Sequence, residues 1–498
     1  MDLLRTKPVE QAIAETEESE HQLRRELGPL QLTVFGVGVI IGAGIFVLTG
    51  EAAAERAGPA VAISFVAAAV ACGLAALCYA EFASTVPVSG SAYTFSYASL
   101  GEIIAWIIGW DLILELALGA AAVASGWSTY LASFLDDIGI HLPAWVTGTH
   151  HNVAAAVLVG LLTFVIIAGV KLSARFNATV VAIKLAIVLL VIIAGITYVK
   201  TSNWSPFVPP SKAGEAASGL DTTPLIDGIL GKPTAIYGFG GIISGAALVF
   251  FAFIGFDIVA TAAEETRKPQ RDVPIGILGS LAICTALYVA VSLVVTGMVR
   301  YDHLSTSAPL SSAFKVRGNT WAPTIVDLGA LAGLTTTVLI LLYGQSRVLF
   351  AMSRDRLLPP GLARVHARFG TPYRISAITG VFVAALTFFL SLTTLSDLVN
   401  IGTLFAFMLV SIGVIVLRRT QPDLQRAFRT PLVPVVPILA VLACAYLAIN
   451  LYEGTWIRFA VWMALGLIVY FSYGIRHSRL ATGAAAPSTT PARAGAGD

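Results

Sequence analysis

Few side chains in this sequence could do chemistry, and those that could stand alone in apolar runs. Lys184 sits in ATVVAIKLAIVLL, Glu115 closes GWDLILE with Asp111 one turn earlier, and Arg347 falls late in a third apolar run. A charged Lys at the centre of a membrane helix costs about 2.5 to 3.5 kcal/mol on insertion scales, so its position asks for a reason. Two readings are open for Lys184. It lies about eight residues, roughly 12 Å, from the start of its run, near enough for the amine to snorkel toward water. Alternatively, the buried amine gains and loses a proton against a neighbouring helix. Glu115 and Asp111 share a helix face. A buried carboxylate there suits the guanidinium or ammonium of a basic ligand side chain, directly or through water, or else a hydroxyl or amide from the next helix. For Arg347, lipid headgroups or the pair Glu264 and Glu265 are the candidate partners, and those two glutamates otherwise read as a solvated helix end.

Backbone groups are the second source of chemistry. GVGVIIGAGIF, residues 36–46, places Gly36, Gly38, Gly42 and Gly44 inside a stretch with no charge from Leu27 to Gly50. A second mid-run glycine occurs in FFAFIGFD, residues 250–257. The spacing of Gly38 and Gly42 is also the pattern of close helix packing. If these helices are broken instead, the unwound turns expose N–H and C=O groups at several kcal/mol each unless protein, water or ligand supplies partners. Free N–H groups near Gly44 would suit a carboxylate, and carbonyls near Ile40 and Phe251 an ammonium. Such a pair could hold an α-amino acid by its backbone.

Other chemistry finds little support. A dinucleotide fingerprint would need glycine at Ile41, and YGFG at 237–240 gives no ring of four for a pore filter. No HExxH, GxSxG or pair of intramembrane histidines supplies a nucleophile with its base, so no enzyme, metal or cofactor is expected. Cys72, Cys78, Cys284 and Cys444 all fall in apolar runs and read as packing residues; His141, His150 and His151 read as a solvated loop.

The elements that must position these groups follow from composition. With 56% hydrophobic and 12% charged residues over 498 positions, the chain is an all-α integral membrane protein. Twelve apolar segments long enough to span a bilayer centre near 40, 70, 115, 161, 188, 252, 286, 338, 383, 408, 443 and 465. Of 31 Lys and Arg, 21 fall in loops on the amino-terminal side and 8 on the other, which predicts cytoplasmic termini. The formal charge of +2 gives no nucleic-acid signal. Residues 1–26 read as a cytoplasmic lead-in without a cleavable signal, 201–238 as an irregular, proline-containing external loop, and 479–498 as a disordered tail. The two glycine breaks fall in the first and sixth segments. Two inverted repeats of five helices, 27–200 and 239–419, would put those segments in matching places, with 420–478 as two extra helices.

GVGVIIGAGIFVLTG, CYAEFASTVPVSGSAYTFSYASLGE at 78–102, GWDLILE at 109–115 and above all FFAFIGFDIVATAAEETRKPQRDVPIGI at 250–277 resemble the cationic amino acid transporter family of the amino acid, polyamine and organocation superfamily. The resemblance runs from about residue 27 to the last span. It implies the inverted-repeat fold with substrate between the breaks of helices 1 and 6. At matching positions Ile40, Ile41, Gly42, Ala43, Gly44 and Ile45 would border the amine and carboxylate, and Phe251, Ala252, Phe253 and Ile254 would supply carbonyls and a wall. It also implies that Lys184 stands where proton-coupled members carry a lysine and sodium-coupled relatives of the fold hold a cation. The expectation is an amino acid importer of the cell membrane, coupled to protons and bathed in lipid. A neutral amino acid or polyamine carrier, an exchanger, or a sensor that binds without transport are the alternatives, and a small single-span partner subunit is left open.

Overall fold

The computed structural model describes residue 5 and residues 27–85, 91–148, 151–169, 174–213, 219–231, 235–366 and 369–482. The expected lead-in segment, apart from Arg5, the tail beyond 482, His150 and the side chains of Glu264 and Glu265 lie outside that description. The described chain is helical almost throughout. Its principal helices are α1 (Pro29–Ile40), α2 (Val61–Thr85), α3 (Ser91–Ser99), α4 (Glu102–Asp137), α5 (Val153–Ile167), α6 (Ala174–Gly195) and α7 (Gly238–Val249). They continue with α8 (Pro269–Met298), α9 (Pro309–Val316), α10 (Ala322–Arg354), α11 (Tyr373–Phe389), α12 (Leu392–Thr420), α13 (Val435–Ala448) and α14 (Glu453–Val469). Among the described residues eight helical segments are long and apolar enough to cross a membrane, and α1, α5, α11 and α13 are shorter apolar helices.

Alanine, leucine, isoleucine and valine dominate these helices on all sides, because protein core and lipid ask for the same chemistry. Leu161 and Phe164 on α5, Val381 and Phe389 on α11 and Leu442 on α13 are exposed, as a lipid-facing surface requires. Inside, α10 runs along α4, α11 packs on α5, α8 packs on both α2 and α1, and α12 crosses α4. Cys72, Cys78, Cys284 and Cys444 are free and buried in this packing.

Two helices are interrupted in mid-course. α1 stops at Ile40, Ile41 is extended (φ −70°, ψ 95°), and winding resumes as a π-helix over Gly44–Leu48. α7 tightens into a 3-10 turn over Phe250–Phe253, Ile254 turns extended (ψ 135°), and a short helix restarts at Ile258–Thr261. Gly255 takes φ +115°, a conformation that only glycine adopts cheaply. The breaks touch: a Cβ on Gly44 would fall on the backbone of Ala252. Gly36 and Gly38, by contrast, serve close packing, the first against Ser280 and Val259, the second against Val181 of α6. The glycine-rich stretch thus does both things its sequence allowed, packing before the break and contact across it.

The segment expected to be an irregular loop has local structure of its own. It holds a 3-10 turn at Thr201–Trp204, a two-residue antiparallel pair of Lys212–Ala213 with Ala235–Ile236, and a short helix at Leu225–Leu230. Arg458 of α14 grips Asp221 through both carboxylate oxygens at 2.7 and 2.8 Å, and Gly454 N–H donates to the Leu220 carbonyl. Prolines punctuate the loop without preventing these local hydrogen bonds.

The contact at Gly44 is testable. Gly44→Val is expected to drive the two breaks apart at a cost of about 1–3 kcal/mol, seen as a lower melting temperature of the solubilised protein. Gly160→Ala, at an exposed position of α5 with nothing within 4 Å, does not lower the melting temperature. Equal behaviour of the two variants would refute the contact.

Candidate functional site

Lys184 is buried and does not snorkel. Its Nζ donates to the carbonyls of Gly38 (2.7 Å) and Ile41 (3.0 Å) and to Thr337 Oγ1 (2.7 Å). An ammonium has three donors, and all are used here. The lysine therefore joins the end of α1 to α10, and Gly333 leaves room for its stem. Straightening toward water would abandon carbonyls that the break has stripped of helical partners.

A second donor serves the breaks from another side. The hydroxyl of Tyr288, on α8, lies 2.8 Å from the Ile40 carbonyl and 2.9 Å from the Ala252 carbonyl. One phenolic proton is thus shared between the two interrupted helices. Nothing in the sequence singles Tyr288 out, because an aromatic residue in an apolar run reads as packing. The carbonyls expected to be free are not idle: Ile40 faces Tyr288, and the Phe251 carbonyl accepts the Ile254 N–H at 3.2 Å. Each carbonyl oxygen keeps a second lone pair.

A small cavity opens where the breaks meet. Ile40, Gly42, Ala43, Gly44, Phe251 and Ile254 line it from the broken helices, Glu115 and Gly119 from α4, Thr337 and Leu341 from α10. Among the residues expected at the site, Ile41, Ile45, Ala252 and Phe253 are not part of this lining. Ile41 and Ala252 act through their carbonyls, as above, and the Ile45 carbonyl accepts the Thr49 hydroxyl at 3.0 Å. Phe253 packs edge-on against Phe65 and tilted against Tyr288, supporting the wall from behind.

Glu115 is the one acid of the lining and is buried at 3% exposure. Asp111, one turn below, is fully buried, and neither of its oxygens has a hydrogen-bond partner among the described residues. It rests against Gly402 of α12, where a Cβ would come 2.7 Å from Oδ1. Asp257 just after the second break is also buried, with Oδ1 3.3 Å from the Gly255 N–H. The acid that ends FFAFIGFD is the sequence signal for Asp257. Arg347 is exposed and lies over the ring of Tyr343, 4.4 Å from the centroid, donating to that hydroxyl.

Ties bracket the breaks on both sides. Arg56, at the far end of the first broken helix, donates to Ser244 at 3.2 Å and lies 5.0 Å from the centre of the Tyr452 ring, while Glu51 accepts the Thr393 hydroxyl at 3.0 Å. At the near end Arg267 N–H donates to the Leu27 carbonyl at 2.9 Å.

A family model described as amino acid permease matches residues 27–471. The chain is 48% identical to the branched-chain amino acid permease BcaP of Bacillus subtilis (strain 168), over 96% of its own length and 99% of that protein. It is 46% identical to the methylthioribose transporter of the same organism, again over 96% and 99%. To the vacuolar cationic amino acid transporter 4 of Arabidopsis thaliana it is 38% identical, over 84% of this chain and 68% of the other. Matches that run through both broken helices and nearly the whole chain make it a member of the amino acid permease family, a family of membrane transporters rather than enzymes, with the cationic amino acid transporters among its relatives.

Proposed function

We propose that the chain imports amino acids across the cell membrane as a proton-coupled secondary carrier, both termini cytoplasmic, by rocking one helix group against another around the meeting point of the breaks. The observation that carries this reading is the threefold donation from Lys184 to Gly38, Ile41 and Thr337. A neutral amine keeps only two hydrogens, so losing its proton strips one buried acceptor of its donor. Leaving such a group unpaired costs about 1–3 kcal/mol, enough to shift a two-state equilibrium roughly 5- to 150-fold. The proton on Lys184 would thereby bias where α1 sits against α10.

Substrate fits the same reading. An α-carboxylate would rest at the restarted helix around Gly42, Ala43, Gly44 and Ile45, and an α-ammonium against the carbonyls of Ile40, Ile41, Phe251, Ala252 and Phe253, with Ile254 at its side. Tyr288 must share or yield the Ile40 carbonyl when the ammonium arrives. Helix pairing supports twelve spans in two inverted five-helix repeats over 27–200 and 239–419, with 420–478 appended. α2 packs on α8, α4 on α10, α5 on α11 and one break on the other, each span against the one five spans later.

Three outcomes are expected in proteoliposomes. Uptake of radiolabelled isoleucine, alanine or arginine saturates and rises when the outside is acidified; methylthioribose belongs in the competition panel because a close relative carries that name. If methylthioribose alone competes, the amino acid assignment is wrong. Lys184→Met folds, as judged by its melting curve, yet its residual uptake no longer follows an imposed pH gradient; retention of pH-driven uptake removes the coupling role. Tyr288→Phe leaves both break carbonyls without their hydroxyl donor and lowers the maximal uptake rate by about tenfold, whereas Tyr343→Phe does not.

A further inference from the structure

Three buried carboxylates gather beside the cavity with no base among them. Glu115 faces the cavity from α4; Asp111 lies one turn away on the same helix; Asp257 follows the second break. Glu115 lies near both other acids, and the Tyr79 phenol from α2 lies in the same neighbourhood. Among the described residues none of the three acids belongs to an ion pair. The packed helices offer only neutral groups. From α12 come Gly402 and Thr403, whose hydroxyl lies beside Glu115, and from α10 comes Gln345, whose Nε2 donates to the Ile113 carbonyl at 3.2 Å. Lys184 lies beyond Thr337 with its donors already committed.

Asp111 is the independent sign that this group awaits something. Among the described residues both its oxygens lack a donor, and it presses on Gly402, next to the Thr403 that flanks Glu115. A carboxylate buried with neither cation nor donor is far costlier than its neutral acid, and like charges at close range deepen the penalty. Apart from Thr337 and the backbone of the breaks, the cavity beside it is apolar, lined by Leu116, Val123, Leu341, Phe251 and Ile254.

We propose that this trio exchanges a proton for the cationic side chain of a basic amino acid. With the cavity empty, or holding a neutral side chain, Glu115 and its two neighbours share at least one proton. An incoming ammonium or guanidinium pairs with Glu115, the O–H bond breaks, and the proton leaves to bulk water, so the net charge of the site is unchanged. Neutral side chains enter without displacing it. Both classes can then use one apolar cavity, and cationic substrate moves one proton fewer per cycle than neutral substrate. The inference rests on the reading of the chain as an amino acid carrier.

The test is calorimetric titration of the full-length protein in nanodiscs with lysine and with norleucine, the same chain lacking the amine, in two buffers of different ionisation enthalpy. Lysine is expected to release about one proton more than norleucine. Glu115→Gln abolishes that difference. Asp111→Asn, a second variant of unchanged shape, weakens lysine binding about tenfold and norleucine binding less than twofold. Equal proton release by the two ligands on the wild-type protein overturns the exchange while leaving the carrier reading intact, as does binding of norleucine alone. Failure of both ligands to bind overturns the carrier reading with it.

Discussion

An interrupted helix in a bilayer has no water to complete its hydrogen bonds, and most of what is distinctive in this protein answers that constraint. The end of α1 loses its helical partners at Gly38, Ile40 and Ile41, and side chains from two other helices replace them: Lys184 from α6 and Tyr288 from α8. These are strong, directional and buried contacts, so the break is as defined in shape as the helices around it. The same need explains why the two interruptions sit against each other. Gly44 lets the backbone of Ala252 come within contact, and one hydroxyl then serves carbonyls from both.

A break stabilised by side-chain donors differs from a rigid element in one respect that matters to a carrier. Its partners can be traded. A carbonyl that accepts Tyr288 has a second lone pair for an ammonium, and a lysine that holds three acceptors can hold only two once it loses a proton. The energies involved, about 1–3 kcal/mol per contact, are large enough to bias two arrangements and small enough to be reversed by one ligand. Charges elsewhere are handled more conservatively. Glu102 at the start of α4 is fully buried and collects hydroxyls from Tyr97, Tyr470 and Ser478, with the Arg5 guanidinium 3.7 Å away. Glu81 is held by Arg418 through both oxygens, and by the Thr430 N–H. Against those saturated acids, the bare oxygens of Asp111 stand out.

Much of this was legible in the residues. Apolar runs marked the helices, four glycines in eleven residues marked the first break, and a lone glycine in FFAFIGFD the second. Glu115 and Lys184 drew attention because isolated charges in apolar runs are costly. Tyr288 was invisible because its hydroxyl matters only through two carbonyls far away in sequence. Asp257 was visible but unread. The ordered pieces of the 201–238 loop were missed because prolines suggested irregularity, while its ladder and its grip by Arg458 depend on segments distant along the chain.

By itself the sequence determined the class of protein, the approximate place of each helix and the points at which helix propensity fails, because hydropathy and backbone freedom are local properties. It did not determine whether Lys184 reaches water or a carbonyl, nor which glycines pack and which mark a break. It was equally silent on whether Asp111 would meet a partner. Those outcomes depend on which helix lies alongside, and only the packing of α1 against α6, α8 and α10 supplied Gly38, Ile41 and Thr337 as acceptors for one amine. A buried donor goes to the acceptors that folding leaves unpaired within its reach, and reach is a property of the tertiary structure alone.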